Sequence, residues 1–441
     1  MPADSSDKRS LKRSRRSMLK AGTAAAVGGA AFVAQANRAA AQPTGAQAGR
    51  KFRAFVAGPG GGSLQDLRML PLEENRVVVR TEACQACYTI TNQTVRQIPE
   101  IPGHGGVGIV EAVGSKVRRV QVGDRVIVAN TPYCGQCYMC LRGRPDRCQM
   151  LPGAGNPFGP IAEMADGTKV VQHNNEGGFA ELMIAYEWYC MPIFSSVSSV
   201  ELSMLGCVGA CGLGTTFGIA PVEPASDVCV LGCGPVGLSA VQGARIKGAS
   251  QIIAVEPIRA RRELALKLGA TIALDPNVEG NNLVAKVKDL CKGPTDRAFA
   301  GGRNWAPNAN SIGPDYVIEA VGGDSFPPKA EAGPDPTGLL PLHQAWDMVS
   351  GAGHIVTCSV GQKGNFSVPA AQWSNGNKNH HPGNMNGVSG LRDMQRFARL
   401  IETGQFNAKA MATATYRLDQ AQAALQAVSD RTTVGAVIVF S

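Results

Sequence analysis

Residues 207–256 constrain this chain more than any other stretch. At their centre, residues 228–231 form a β-branched run that enters Gly232-x-Gly234-x-x-Gly237 and continues into an alanine-rich helical pattern. Strand, tight turn and helix in that order make a phosphate cradle. The first glycine permits the turn, the second lets backbone N–H groups approach a pyrophosphate, and the third lets the helix lie close on the strand. Pro235 and Val236 open the helix beside that cradle. A second apolar run, Gln251-Ile-Ile-Ala-Val, ends at Glu256, 19 residues past the last glycine, where a carboxylate can accept hydrogen bonds from ribose hydroxyls. The combination predicts a dinucleotide site. Glu256 would repel a 2′-phosphate, which favours NAD. The neighbouring Arg259, Arg261 and Arg262 keep NADP in play, and Arg261 is counted among the cofactor residues.

The chain has 441 residues, enough for two domains with full cores, and its 44% apolar composition is that of a globular protein. A formal charge of +9 invites a nucleic-acid reading until it is located: eight Lys/Arg and two Asp fall within residues 1–41, leaving the remainder at +3. No nucleic-acid partner is expected. Residues 8–20 are basic, a small-residue apolar stretch follows, and Ala39-Ala-Ala41 offers a cleavage site. That order predicts a removable export signal over residues 1–41, and Ser14-Arg15-Arg16-Ser17-Met18-Leu19-Lys20 resembles a twin-arginine signal. It implies the twin-arginine export machinery as a partner and a periplasmic or otherwise exported protein. Outside the leader no stretch of about 20 strongly apolar residues is read, so no membrane span is expected.

Thirteen cysteines are too unevenly placed for a disulfide framework. Cys134, Cys137, Cys140 and Cys148 lie within fifteen residues, at a spacing that can surround one tetrahedral zinc. Four thiolates close the coordination shell, so such a site is structural. Two disulfides in an exported protein are the alternative.

Upstream, Cys87-Tyr88-Thr89 and the Pro-Gly-His104-Gly-Gly-Val-Gly run bring in a recognisable pattern. Together with the four-cysteine segment and the glycine turn, they give a chain that resembles the zinc-dependent medium-chain alcohol dehydrogenases over nearly all of its mature length. The resemblance implies an α/β fold in which a β-rich GroES-like catalytic domain is joined to a Rossmann-type dinucleotide-binding domain. Residues 50–208 would form the catalytic domain with its zinc lobe, 209–385 the NAD-binding domain, and 386–441 a segment returning to the catalytic domain.

It also implies two zinc ions per chain. Cys87, His104 and Cys207 would hold the catalytic one, open to water or alkoxide. Cys211 offers a second thiol close by, but ungapped counting back from Gly232 favours Cys207 as ligand and turns Cys211 toward the nicotinamide. Zinc would act as a Lewis acid, Thr89 would take the alcohol proton, and hydride would pass to NAD. Substrates would be small alcohols or aldehydes, and several copies are expected to assemble.

Four departures bear on that transfer. Ile90 replaces a carboxylate that orients the zinc-bound imidazole, Gly105 replaces a glutamate after the histidine, Asn92 stands for a proton-passing histidine, and Tyr88 replaces a basic pyrophosphate contact. Both supports of the metal ligands are therefore expected to be missing. Residues 149–176, 297–311, 324–338 and 363–390 read as Gly-, Pro- and Asn-rich loops, with His380 and His381 as solvated loop residues. Export implies a tightly held NAD recycled by a second substrate or acceptor. The alternatives are an aldehyde dismutase of the same fold and a non-catalytic exported NAD-binding protein.

Overall fold

The computed structural model describes residues 47–58, 61–91, 98–149, 159–293, 311–323, 335–383 and 387–440. The export signal, Asn92, and most of the 297–311 and 324–338 stretches lie outside the described residues.

Alternating apolar and polar positions at the start build antiparallel β-structure. β1 (Lys51–Gly58) and β2 (Gly61–Met69) pair from Lys51–Arg68 to Gly58–Gly61. β3 (Arg76–Ala86) carries Val77, Val78 and Val79 fully buried, as β-branched residues in a doubly covered strand should be. A short β4 (Glu100–Ile101) leads to β5 (Gly106–Val113) and β6 (Arg125–Val128). β7 (Ala162–Glu163) and β8 (Lys169–Gln172) close a barrel in the order β1-β2-β7-β8-β4. Part of the expected 149–176 loop is thus strand, because two short backbone ladders close the barrel where no apolar pattern announces them. β9 (Leu182–Tyr186) pairs with β3, and β10 (Cys190–Pro192) pairs with β6.

A helical run, Ser199–Ile219, follows, its first turns packed on β3 and β5. Ser198 caps it, its hydroxyl accepting from the Glu201 N–H at 3.3 Å. At 21 residues, with an 18-residue window of mean hydropathy 1.5, it is long and apolar enough to cross a bilayer, contrary to the expectation that no such stretch exists. Of that window, 78% is buried in the protein's own core, which accounts for its composition. Two wider π-turns interrupt it, Leu205–Gly209 and Thr215–Ile219. Such turns cluster at functional positions because they re-aim side chains.

The remaining strands form a parallel sheet: β11 (Asp227–Leu231), β12 (Gln251–Val255), β13 (Ile272–Leu274), β14 (Tyr316–Glu319), β15 (His354–Thr357) and β16 (Asn379–Pro382), in the order β13-β12-β11-β14-β15-β16. Near-continuous apolar runs such as Gln251-Ile-Ile-Ala-Val fit strands covered on both faces. β16 corrects the loop reading of 363–390. Asn-His-His-Pro has no strand signature, yet its backbone pairs in parallel with β15 from His354–Asn379 to Thr357–Pro382. The chain ends with β17 (Ala414–Arg417) and β18 (Ala436–Val439), the latter antiparallel to β3, so this segment joins the sheet that contains β5 and β6.

Candidate metal and dinucleotide site

Three elements converge on one point. Cys87 follows the last residue of β3, His104 ends the turn before β5, and Cys207 sits in the first π-turn of the long helix. All three are buried, and their donor atoms lie within 4.8 Å of one another. The Cys87 and Cys207 sulfurs are 4.0 Å apart, and the Thr89 hydroxyl donates to Cys87 Sγ at 3.2 Å.

The approach is made possible by two glycines. A Cβ on Gly206 would lie 2.3 Å from Gly105 Cα, and one on Gly105 would lie 2.9 Å from the Gly206 carbonyl carbon. Gly105 also has φ +82, which disfavours any side chain. No glutamate could stand at position 105 in this packing.

The electrostatics of this trio favour a cation. Hydrogen bonding from Cys207 leads in pulling the Cys87 thiol well below its usual range; burial opposes it, and His104 and Thr89 assist. Cys207 is driven up by hydrogen bonding with Cys211 and Cys87. Burial works against a charged His104, but Cys87, with help from Glu176, outweighs it and raises the imidazole to about 9. Neither ring nitrogen of His104 has a hydrogen-bond partner of proper geometry. Two buried thiols and a buried imidazole converging beside the cleft they line form a donor set suited to zinc. Cys211, one turn on, also lines that cleft.

Glu176 was missed from the sequence. It is fully buried, its Oε2 accepts from the Gly105 N–H at 2.6 Å, and burial pushes its carboxyl up to about 8. The expectation that the metal ligands lack carboxylate support on both sides is corrected here: nothing carboxylic stands at Ile90 or Gly105, but one arrives from 71 residues further on. The ring of His173 stacks on His104 at 5.3 Å and is held by Glu100 at 3.0 Å.

The four-cysteine segment also assembles. Cys134, Cys137, Cys140 and Cys148 bring their sulfurs within 4.8 Å of one another. Backbone N–H groups point at them: Cys134 to Cys148 Sγ at 3.3 Å, Cys137 to Cys134 Sγ at 3.3 Å and Gln149 to Cys137 Sγ at 3.4 Å. No disulfide joins any described cysteines, and the Cys137–Cys148 sulfurs, 3.9 Å apart, are well beyond a bond. Four converging sulfurs solvated by amides fit a closed zinc shell.

At the phosphate turn, Gly232 has φ +84 and a Cβ on Gly237 would lie 1.8 Å from the Gly232 carbonyl oxygen, so both positions require glycine. Glu256, buried at the end of β12, accepts from the Cys233 N–H at 2.7 Å and the Ile258 N–H at 2.9 Å. Arg262 is held by Asp275 at 2.9 Å, which takes it away from a 2′-phosphate. Arg261, whose pKa is lowered by burial, donates to the Thr433 carbonyl at 3.1 Å beside Gly234. Arg431 was not foreseen. It lies over the Tyr88 ring at 5.4 Å and lines the same cleft, adding a guanidinium from the far end of the chain.

The metal trio, Thr89, Cys211, Gly232, Gly234, Pro235, Val236, Glu256 and Arg261 all line one cleft of about 520 Å³. Gly237 is packed behind it. His380, read as a loop residue, is on β16, bonds Thr357 Oγ1 at 3.0 Å and lines the cleft wall, while His381 bonds His354 at 2.9 Å.

A barrel-bearing domain that aims an open three-donor set at the nucleotide end of a parallel sheet defines a class, the metal-dependent dehydrogenases. The comparisons specify it. Residues 73–195 match the alcohol dehydrogenase GroES-like domain and residues 235–332 the zinc-binding dehydrogenase domain. A geraniol dehydrogenase from Castellaniella defragrans is 35% identical over 239 residues, 51% of this chain and 62% of that protein, so the match spans under two thirds of its length. An S-(hydroxymethyl)glutathione dehydrogenase from Synechocystis is 30% identical over 56% of this chain and 70% of its own. The crystal structure of benzyl alcohol dehydrogenase from Acinetobacter calcoaceticus superposes with a TM-score of 0.73 at 25% identity, covering 89% of this chain and all of that one. The chain belongs to the zinc-dependent medium-chain alcohol dehydrogenase family.

Proposed function

We propose that this protein is a zinc-dependent, NAD-linked oxidoreductase that interconverts small alcohols and aldehydes. One observation carries the reading: the Cys87, His104 and Cys207 donors and the glycine turn over β11 line the same cleft. Held there, zinc would supply Lewis acidity toward a substrate oxygen and NAD would supply a hydride acceptor. The chain's own residues supply the rest. Thr89 presents its hydroxyl to the cleft beside Cys87 and accepts the substrate's hydroxyl proton in a hydrogen bond. Glu256 would accept hydrogen bonds from the adenosine ribose, and Arg261 with Arg431 would offer positive charge near the pyrophosphate turn. Val208, Val236 and Val321 give the cleft an apolar side against which the reacting carbons would pack.

The lobe of Cys134, Cys137, Cys140 and Cys148 is read as a second, structural zinc site. The leader supports export through the twin-arginine route, which carries folded proteins. NAD is therefore proposed to be loaded before export and retained. The buried Glu176 supports a working metal site over a binding protein with a degraded one.

A native mass spectrum of the desalted mature protein from the exported fraction tests this reading. Two zinc ions and one NAD per chain are expected, with reduction of the bound nucleotide on addition of alcohol. One zinc and no nucleotide would overturn it. A cofactor-free protein that turns over only with added NAD would overturn retention alone.

A further inference from the structure

We infer that Glu176 is a positioning residue for the metal site, supplying from a separate loop the carboxylate that fixes the His104 turn; this rests on the zinc reading above. The loop is built for the task. Asn174 and Asn175 both adopt left-handed backbone, at φ 49 and φ 65, and Gly177 follows at φ 56. Asparagine tolerates that region better than other non-glycine residues, but two in succession persist only when the surroundings hold them.

The surroundings do hold them. The Glu176 and Gly177 N–H groups donate to the His173 carbonyl at 2.8 and 3.3 Å. His173 is pinned by Glu100 at 3.0 Å. The buried Arg76 donates to Asn175 Oδ1 at 3.3 Å and is itself paired with Glu73 at 3.2 Å. The product of this scaffolding is a single fully buried carboxylate. Its Oε2 is bonded to Gly105, the residue after His104, and its Oε1 is unpartnered.

Burying a carboxylate with one oxygen unpartnered is costly in a purely structural loop. It becomes favourable beside a cation and its imidazole ligand, whose orientation depends on neighbouring acceptors. Gly105 cannot carry a side chain of its own against Gly206, so the charge has to come from elsewhere in the fold. Glu176 does so by holding the Gly105 amide, and with it the angle at which His104 enters the site.

The test uses the full mature protein, zinc as the probe, and chelator competition with metal counting. Glu176→Gln keeps the shape but replaces the charged acceptor that holds the Gly105 amide with a weaker, neutral one. It is expected to retain zinc in the four-cysteine lobe and its thermal midpoint, while zinc affinity at Cys87, His104 and Cys207 falls about tenfold to a hundredfold. In the cobalt-substituted protein, the visible spectrum of that site should shift. Glu176→Asp, which keeps the charge on a shorter arm, should recover part of the affinity, and it serves alone if the glutamine variant does not fold. Unchanged zinc affinity and an unchanged cobalt spectrum would overturn the inference. Cys87→Ser separates the two readings: if it leaves the zinc count of the native protein unchanged, the metal reading itself fails.

Discussion

Glu256 and Glu319 show how one residue type at the end of a parallel strand can serve two purposes. Glu256 lines the cleft, where ribose hydroxyls would donate to it. Glu256→Ala removes hydrogen bonds to a charged acceptor, each worth about 1.5–3 kcal/mol, so NAD binding should weaken about tenfold to a hundredfold in a fluorescence titration. Glu319 turns inward instead. It accepts from Val321 and Gly322 N–H at 2.8 and 3.1 Å and from the Ser359 hydroxyl, and burial raises its pKa from the usual 4.5. The folded chain therefore holds that proton more tightly than the unfolded chain. The stabilisation is full below the unfolded value and is lost as pH rises through the folded one. The Glu319→Gln variant, permanently neutral, should gain thermal stability relative to the native protein as pH rises above the ordinary carboxylate range. A gap in melting temperature that stays constant with pH would count against this reading.

The helical run Ser199–Ile219 carries the consequences at the scale of an element. Its first π-turn holds Cys207, and Gly206 in the same turn meets Gly105 backbone to backbone. Gly206→Ala would drive a methyl into Gly105, at a cost of about 1–3 kcal/mol or displacement of the turn. The expected outcome is a lower melting temperature and loss of one zinc per chain, with the four-cysteine lobe still loaded. The glycine motifs, the cysteine spacing and the paired strands around them are legible in the sequence because each acts within one or two consecutive elements. β16 is not, since Asn379-His-His-Pro gains its structure from the backbone of β15 rather than from its own side chains. Its histidines were read as loop residues for the same reason, although His380 is exposed as that reading expected.

Across the whole molecule, the four-cysteine lobe and the parallel sheet touch: Arg147 in the lobe donates to the Pro382 carbonyl on β16 at 3.1 Å. Pro382 and His380 line the cleft, so the lobe braces one of its walls. Cys148→Ser should release one zinc, lower the melting temperature, and speed amide exchange in Asn379–Pro382 as well as in the lobe. Exchange confined to the lobe would show that the contact does not couple them.

What could be read along the chain is whatever its physics keeps short-ranged. Glycines that free a turn, thiols a few residues apart, and an acid ending the next strand declare themselves through local spacing. Cys87, His104 and Cys207 were also nominated from their neighbours in sequence. Their convergence depends on the Gly105–Gly206 approach, and the charge behind them on Glu176, 71 residues from its partner. Arg431 reaches the cleft only because β18 returns to β3. Contacts of this kind leave no periodicity or spacing to detect, because packing between distant segments sets them. For that reason the folded chain, and not the motif, determines which carboxylate stands behind the metal ligands.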